Sequence, residues 1–164
     1  MSAHPQKTIK YFWEDLPVGT TLDIGSTTVD RDEVIAFASK YDPQPFHLDE
    51  AAAAKSMFGK LSASGWHTCA MAMGLMVRGF LHESSSLGSP GLEKVSWLTP
   101  VYPGDTLTLK QTILESRPMK SRPDVGLTRT LWEMFNQHGE QVLMMDGYGM
   151  FRRRTPAPAD SASK

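Results

Sequence analysis

One segment constrains the fold of this chain more than any other: residues 65–81, GWHTCAMAMGLMVRGFL, which are apolar nearly all the way round at helical period. The stretch contains His67, Thr68 and Arg78 and falls short of the roughly 20 residues that a membrane span requires. It therefore reads as a long helix buried within protein, with Ala70, Ala72 and Gly74 letting other backbone approach closely. Such a helix needs a wrapping, and the second half of the chain supplies one. Alternating segments near 92–98, 106–115, 127–136 and 141–151 are separated by Pro103-Gly104-Asp105, a loop over 117–126, and His138-Gly139. Helices grouped before strands predict an α+β domain in which an antiparallel sheet wraps the central helix.

The first half is punctuated as sharply. Residues 21–29 alternate like a strand, and Asp30 then stands as an N-cap with Glu33 three positions on. Val34, Phe37, Ala38 and Tyr41 follow at i, i+3, i+4 and i+7, which predicts a helix over 31–41. Pro43 disfavours helical geometry at Asp42, and Pro45 again denies the backbone a donor, so 42–47 becomes a stiff loop. Asp49 caps a second, short helix through the alanine run 51–54, closed by Phe58 and Gly59. One domain over 1–154 is expected, with a Pro-, Ala- and Ser-rich tail over 155–164 expected to be disordered.

A net charge of -1 provides no field to gather nucleic acid or an anionic membrane surface. No apolar run of signal-peptide length follows the first residues, and the single cysteine, Cys69, lies in the apolar segment and can form no internal disulfide. A cytoplasmic location is the corresponding expectation.

Chemistry concentrates in YDPQPFHLD. Asp42 and His47 lie just past a helix end with two prolines holding the turn between them. Acid/base groups gain most from being fixed near one reacting atom, and histidine titrates nearest neutrality. Asp and Pro also recur in turns for local reasons alone, so the pair acquires weight from a second element. Ser64-Gly65 opens the central helix, where N–H groups lack intrahelical partners, and Gly65 has no side chain to block a developing oxyanion. Gly65 can equally be a glycine needed for tight packing.

Three blocks, FASKYDPQPFHLDEAAA, FGKLSASGWHT and WLTPVYPGDTL, stand in an order and spacing that resemble the MaoC-like acyl dehydratases, relatives of R-specific enoyl-CoA hydratases. The resemblance runs over residues 11–150 and implies a hot-dog fold. It places the family's catalytic Asp and His on Asp42 and His47, and its oxyanion-hole glycine on Gly65. Two positions depart: Gln44 stands where Asn is frequent, and Ser64 where His often precedes the glycine. A serine of the central helix near the catalytic aspartate corresponds to Met73, which bears on the hydrogen bonding of Asp42 and on acyl preference.

The resemblance implies reversible addition of water to a 2-enoyl-CoA, giving a 3-hydroxyacyl-CoA, on a CoA or carrier-protein thioester substrate without metal or other cofactor. A homodimer is implied as well. Ser64, His67 and Met73 are then candidates to contact substrate, and Lys120, Arg122 and the run 152–154 are candidate cations for CoA phosphates. The alternatives are a hot-dog acyl-CoA thioesterase and a non-catalytic acyl-CoA binding module.

Overall fold

The computed structural model describes residues 8–156, so the expected tail lies outside the described residues except for Thr155 and Pro156. Strand β1 (Thr21–Thr28) leads into helix α1 (Arg31–Tyr41), whose N-cap Asp30 accepts a hydrogen bond from the Glu33 N–H at 3.0 Å. Glu33 does not return the bond in a capping box; its carboxylate lies 3.7 Å from His67. The short helix α2 (Glu50–Ala54) is capped by Asp49 through the Ala52 N–H. The central helix is α3 (Gly65–Gly79), followed by strands β2 (Ser86–Gly88), β3 (Leu92–Trp97), β4 (Thr106–Pro118), β5 (Val125–Phe135) and β6 (Gln141–Arg152). The loop expected over 117–126 is shorter, because β4 and β5 pair out to Pro118 and Gly126.

All six strands form one antiparallel sheet in the order β1-β4-β5-β6, with β2 and β3 placed in line along the free edge of β6. The face turned to α3 can be read as rungs: Leu109 opposite Met134, Gln111 opposite Trp132, Ile113 opposite Thr130. Alternation at period two sets these side chains on one face, and most of them merge with Leu75, Met76 and Phe80 of the helix in a single apolar core. Close approach of α3 to β1 is made at Gly79, where a Cβ would collide with the Ile24 carbonyl. This is the hot-dog arrangement, an α+β domain with the sheet curled about its central helix.

The central helix is covered on most sides, as expected, with one face left open: His67, Thr68, Ala72, Leu75 and Met76 are buried, whereas Trp66, Met73 and Val77 are 59%, 46% and 41% exposed. Leu92, Trp97 and Leu98 on and beyond the edge strand β3 are exposed too, and Trp66 meets Trp97 edge to face at 5.2 Å. Among the described residues no helix is long and apolar enough to cross a membrane.

Candidate active site

The punctuation around Asp42 determines where its carboxylate points. Helix α1 ends with the Asp42 N–H donating to the Ala38 carbonyl at 2.9 Å, and Pro43 cannot continue the ladder. The Gln44 N–H then turns back to the Asp42 carbonyl, and Pro45–His47 form a 3-10 turn in which the His47 N–H donates to the Gln44 carbonyl. His47 ends that turn 5% exposed, with Phe46 edge to face at 4.6 Å.

The strap leading into α3 supplies the remaining partners. The Ala63 N–H is tied to the Val101 carbonyl at 2.8 Å, which fixes the strap against the loop before β4. His47 Nδ1 lies 2.7 Å from the Ser62 carbonyl oxygen, so Nδ1 carries a proton and donates, and in the neutral ring it is Nε2 that has the free lone pair. That Nε2 is 3.5 Å from Asp42 Oδ2. Ser64 Oγ donates to the same Oδ2 at 2.7 Å, and Gln44 Nε2 donates to Oδ1 at 2.7 Å. Burial opposes the charge on Asp42, but hydrogen bonds from Ser64 and Gln44, with His47 alongside, outweigh it and hold the carboxyl below the ordinary aspartate value. Asp42 is a carboxylate at neutral pH.

Asp42, His47 and Gly65 line one cavity of about 490 Å³, together with Ser62, Trp66 and Trp97. A serine before a helix ordinarily caps it, yet Ser64 makes no side-chain cap and spends its hydroxyl on Asp42. The first-turn N–H groups of Gly65 and Trp66 are thus left uncapped beside the cavity, at the positive end of the helix dipole. Gly65 also has the packing role that its lack of a side chain allows. The Trp97 indole lies against it and donates to its carbonyl at 2.8 Å, and a Cβ at Gly65 would sit 2.6 Å from the indole.

Several expected contacts fall elsewhere. Ser64 lies at the site but is engaged with Asp42 rather than directed to substrate. His67 is on the far side of α3, 2% exposed, stacked on Phe37 at 4.8 Å and lowered in pKa by burial despite the nearby Glu33. It lines a different cleft. Met73 is remote from Asp42 and lines a second cavity, so the hydrogen bond that the resemblance located at position 73 comes instead from Ser64. Lys120 and Arg122 occupy the turn between β4 and β5, near Arg152, whereas the site lies near Val142. Ten residues of β6 separate the two ends, about 33 Å. Arg122 is also paired with Asp124 at 3.1 Å. Ser62 and Trp97 were not singled out in the sequence. Ser62 acts through its carbonyl, which side-chain identity does not report, while Trp97 opens the WLTPVYPGDTL block. No group of three or more His, Cys, Asp or Glu is placed to hold a metal among the described residues.

The Ser64 bond has a measurable consequence. Because the folded-state pKa of Asp42 is depressed, its contribution to stability is present above the unfolded value and is lost as pH falls through the folded value. Ser64→Ala should raise the Asp42 pKa, read by carboxyl carbon NMR titration, and cost about 1.5–3 kcal/mol at neutral pH for a lost bond to a charged group. In urea unfolding the gap from the unsubstituted protein should narrow as pH is taken down through the lowered Asp42 value. A gap independent of pH would show that Ser64 acts only through packing.

Comparison with known proteins agrees with the fold. The family model described as MaoC like domain matches residues 15–133. The MaoC-like dehydratase from Rhodospirillum rubrum superimposes with a TM-score of 0.82 at 41% identity, over 88% of this chain and 99% of that one. The uncharacterized protein YdeM of Bacillus subtilis (strain 168) is 27% identical over 134 residues, 82% of this chain and 92% of its own. The 3-hydroxybutyryl-CoA dehydratase of Methylorubrum extorquens is 28% identical over 144 residues, 85% of this chain and 86% of its own.

Proposed function

The chain belongs to the family of MaoC-like domains, and from that premise we propose that it is a hydro-lyase, adding water reversibly across the C2–C3 double bond of a 2-enoyl-CoA to give a 3-hydroxyacyl-CoA. The observation that carries the reading is the convergence of Asp42, His47 and the first turn of α3 on one cavity. The Methylorubrum extorquens relative, a 3-hydroxybutyryl-CoA dehydratase, acts in the same reaction class.

The hydrogen bonds assign roles. With Nδ1 committed to the Ser62 carbonyl, His47 Nε2 is the base that takes a proton from water as the oxygen adds to C3. Asp42 accepts the other water hydrogen and stabilises the imidazolium beside it. A carboxyl held below its ordinary value is a poor proton donor, so delivery to C2 falls to the His47 imidazolium rather than to Asp42. Charge gathered on the thioester oxygen is met by the Gly65 N–H at the helix end. Water is consumed, one C–O and one C–H bond form, and the protein ends in its starting protonation state.

The acyl chain has a place to go. Gly65, Cys69, Met73 and Met76 follow one another at helical spacing, and the last three line an apolar cavity of about 310 Å³ that begins a turn beyond the first. The exposed apolar residues of α3 and β3 suit burial against a second copy of the chain, and sedimentation at micromolar concentration checks this. Neither cavity has a Lys or Arg in its wall, so Lys120 or Arg122 would reach CoA phosphates only from such a second copy.

The test is a panel of 2-enoyl-CoA and 3-hydroxyacyl-CoA thioesters, followed by double-bond absorbance and by free thiol. Loss of absorbance without thiol is the expected result. Release of thiol alone would establish a thioesterase instead, and saturable binding without either signal would establish a binding module.

A further inference from the structure

The second cavity carries a feature that an acyl tunnel does not require. Along β4 the residues facing α3 run Leu107, Leu109, Gln111, Ile113, so one amide interrupts an aliphatic row. Gln111 is 4% exposed and lines the cavity floor beside Thr130. Its orientation is set from across the rung: Trp132 Nε1 donates to Gln111 Oε1 at 3.0 Å, which turns the amide NH2 away from Trp132. No protein acceptor takes that NH2 among the described residues. The NH2 opens on the cavity and is not sealed in the core without a partner, and an apolar chain lying over it would strip its two donors of water at a cost. The wall contains no Lys, Arg, His, Asp or Glu, so an acid or amine on a ligand would lie there without a counter-charge, whereas a neutral oxygen would not.

Resting on the hydratase reading, we propose that Gln111 selects acyl thioesters whose chain carries a neutral acceptor oxygen, a hydroxyl or keto group, beyond the reacting carbons. The oxygen replaces the water that would otherwise solvate the amide, and Thr130 Oγ1, within 3.4 Å of Thr128 Oγ1, can turn to meet a hydroxyl. Discrimination against a plain chain follows because the plain chain leaves the amide donors unpaired.

Binding and turnover test this separately. Calorimetry with saturated octanoyl-CoA and its 5-, 6-, 7- and 8-hydroxy and oxo analogues reads the subsite whether or not the protein is a hydratase. Hydration of plain 2-octenoyl-CoA reads the catalytic assignment. The expected result is tighter binding, by about 3- to 10-fold, for at least one oxygenated isomer, with the preference abolished in Gln111→Leu and plain octanoyl-CoA bound more tightly than before. Gln111→Met, closer in shape, serves should the leucine variant fail to fold. Equal binding of all isomers by the unsubstituted protein would overturn the proposal, as would a preference that survives both substitutions.

Discussion

Asp42→Asn and His47→Ala should each lower hydration of a 2-enoyl-CoA by about 10²- to 10⁴-fold, the range for a positioned acid/base group, while the chain stays folded. The asparagine amide keeps an acceptor for one neighbour, and the Ser64 hydroxyl can rotate to accept from the new NH2, so the turn survives. Loss of the His47 ring leaves the Ser62 carbonyl without its donor, at about 1 kcal/mol, and the open cavity beside it admits water in place of the ring. Both groups handle one water, so the double variant should be scarcely slower than the slower single one. Circular dichroism and initial rates are sufficient. Near-normal turnover by either single variant would sink the assignment.

The second large effect concerns Gly65, where packing and chemistry overlap and have to be separated. Gly65→Ala keeps the N–H but drives a Cβ to 2.6 Å from the Trp97 indole, which should cost about 1–3 kcal/mol through overpacking. In a Trp97→Ala background the obstruction is gone, and the same change should be nearly neutral for stability and rate. Gly65→Pro in that background removes the N–H itself. Proline suits the first position of a helix, and Ser64 already has the extended conformation (φ -55, ψ 140) that a following proline demands. Folding should persist, and turnover should fall by a further 10²–10³-fold or so, the usual effect of deleting an oxyanion donor. If Gly65→Pro matches Gly65→Ala in rate, the glycine is there for Trp97 alone.

How far the sequence can be read depends on how local the determinants are. Helix α1 is delimited to the residue, because cap, periodicity and proline all lie within it or beside it. The layout of an antiparallel sheet about a central helix follows from the order of one apolar helix and four alternating segments, its identification as a hot-dog fold from the family resemblance, and the pairing of Asp42 with His47 from two prolines. Helix phase separates His67 from the site: two residues past Gly65 is a rotation of about 200°, so its ring turns to α1. Met73 is about 80° from Gly65 in phase and lies about 12 Å along the axis, which places it on the second cavity. The anchoring of His47 is invisible in sequence because a backbone carbonyl performs it, and β2 leaves no signal because three residues carry no periodicity. The uncovered face of α3 reads as buried since composition cannot tell the chain's own core from a surface left for something else.

Ser64 finally sets a limit on how this protein could be made hardier. Its hydroxyl is diverted from the helix end to Asp42, so an engineer optimising caps would choose Ser64→Asp and gain thermal tolerance at the start of α3. The same change would set a second carboxylate against the first and raise the affinity of Asp42 for a proton. A melting-temperature screen would keep that variant and a turnover assay would discard it, the trade-off expected where a structural economy has been sacrificed to a working group.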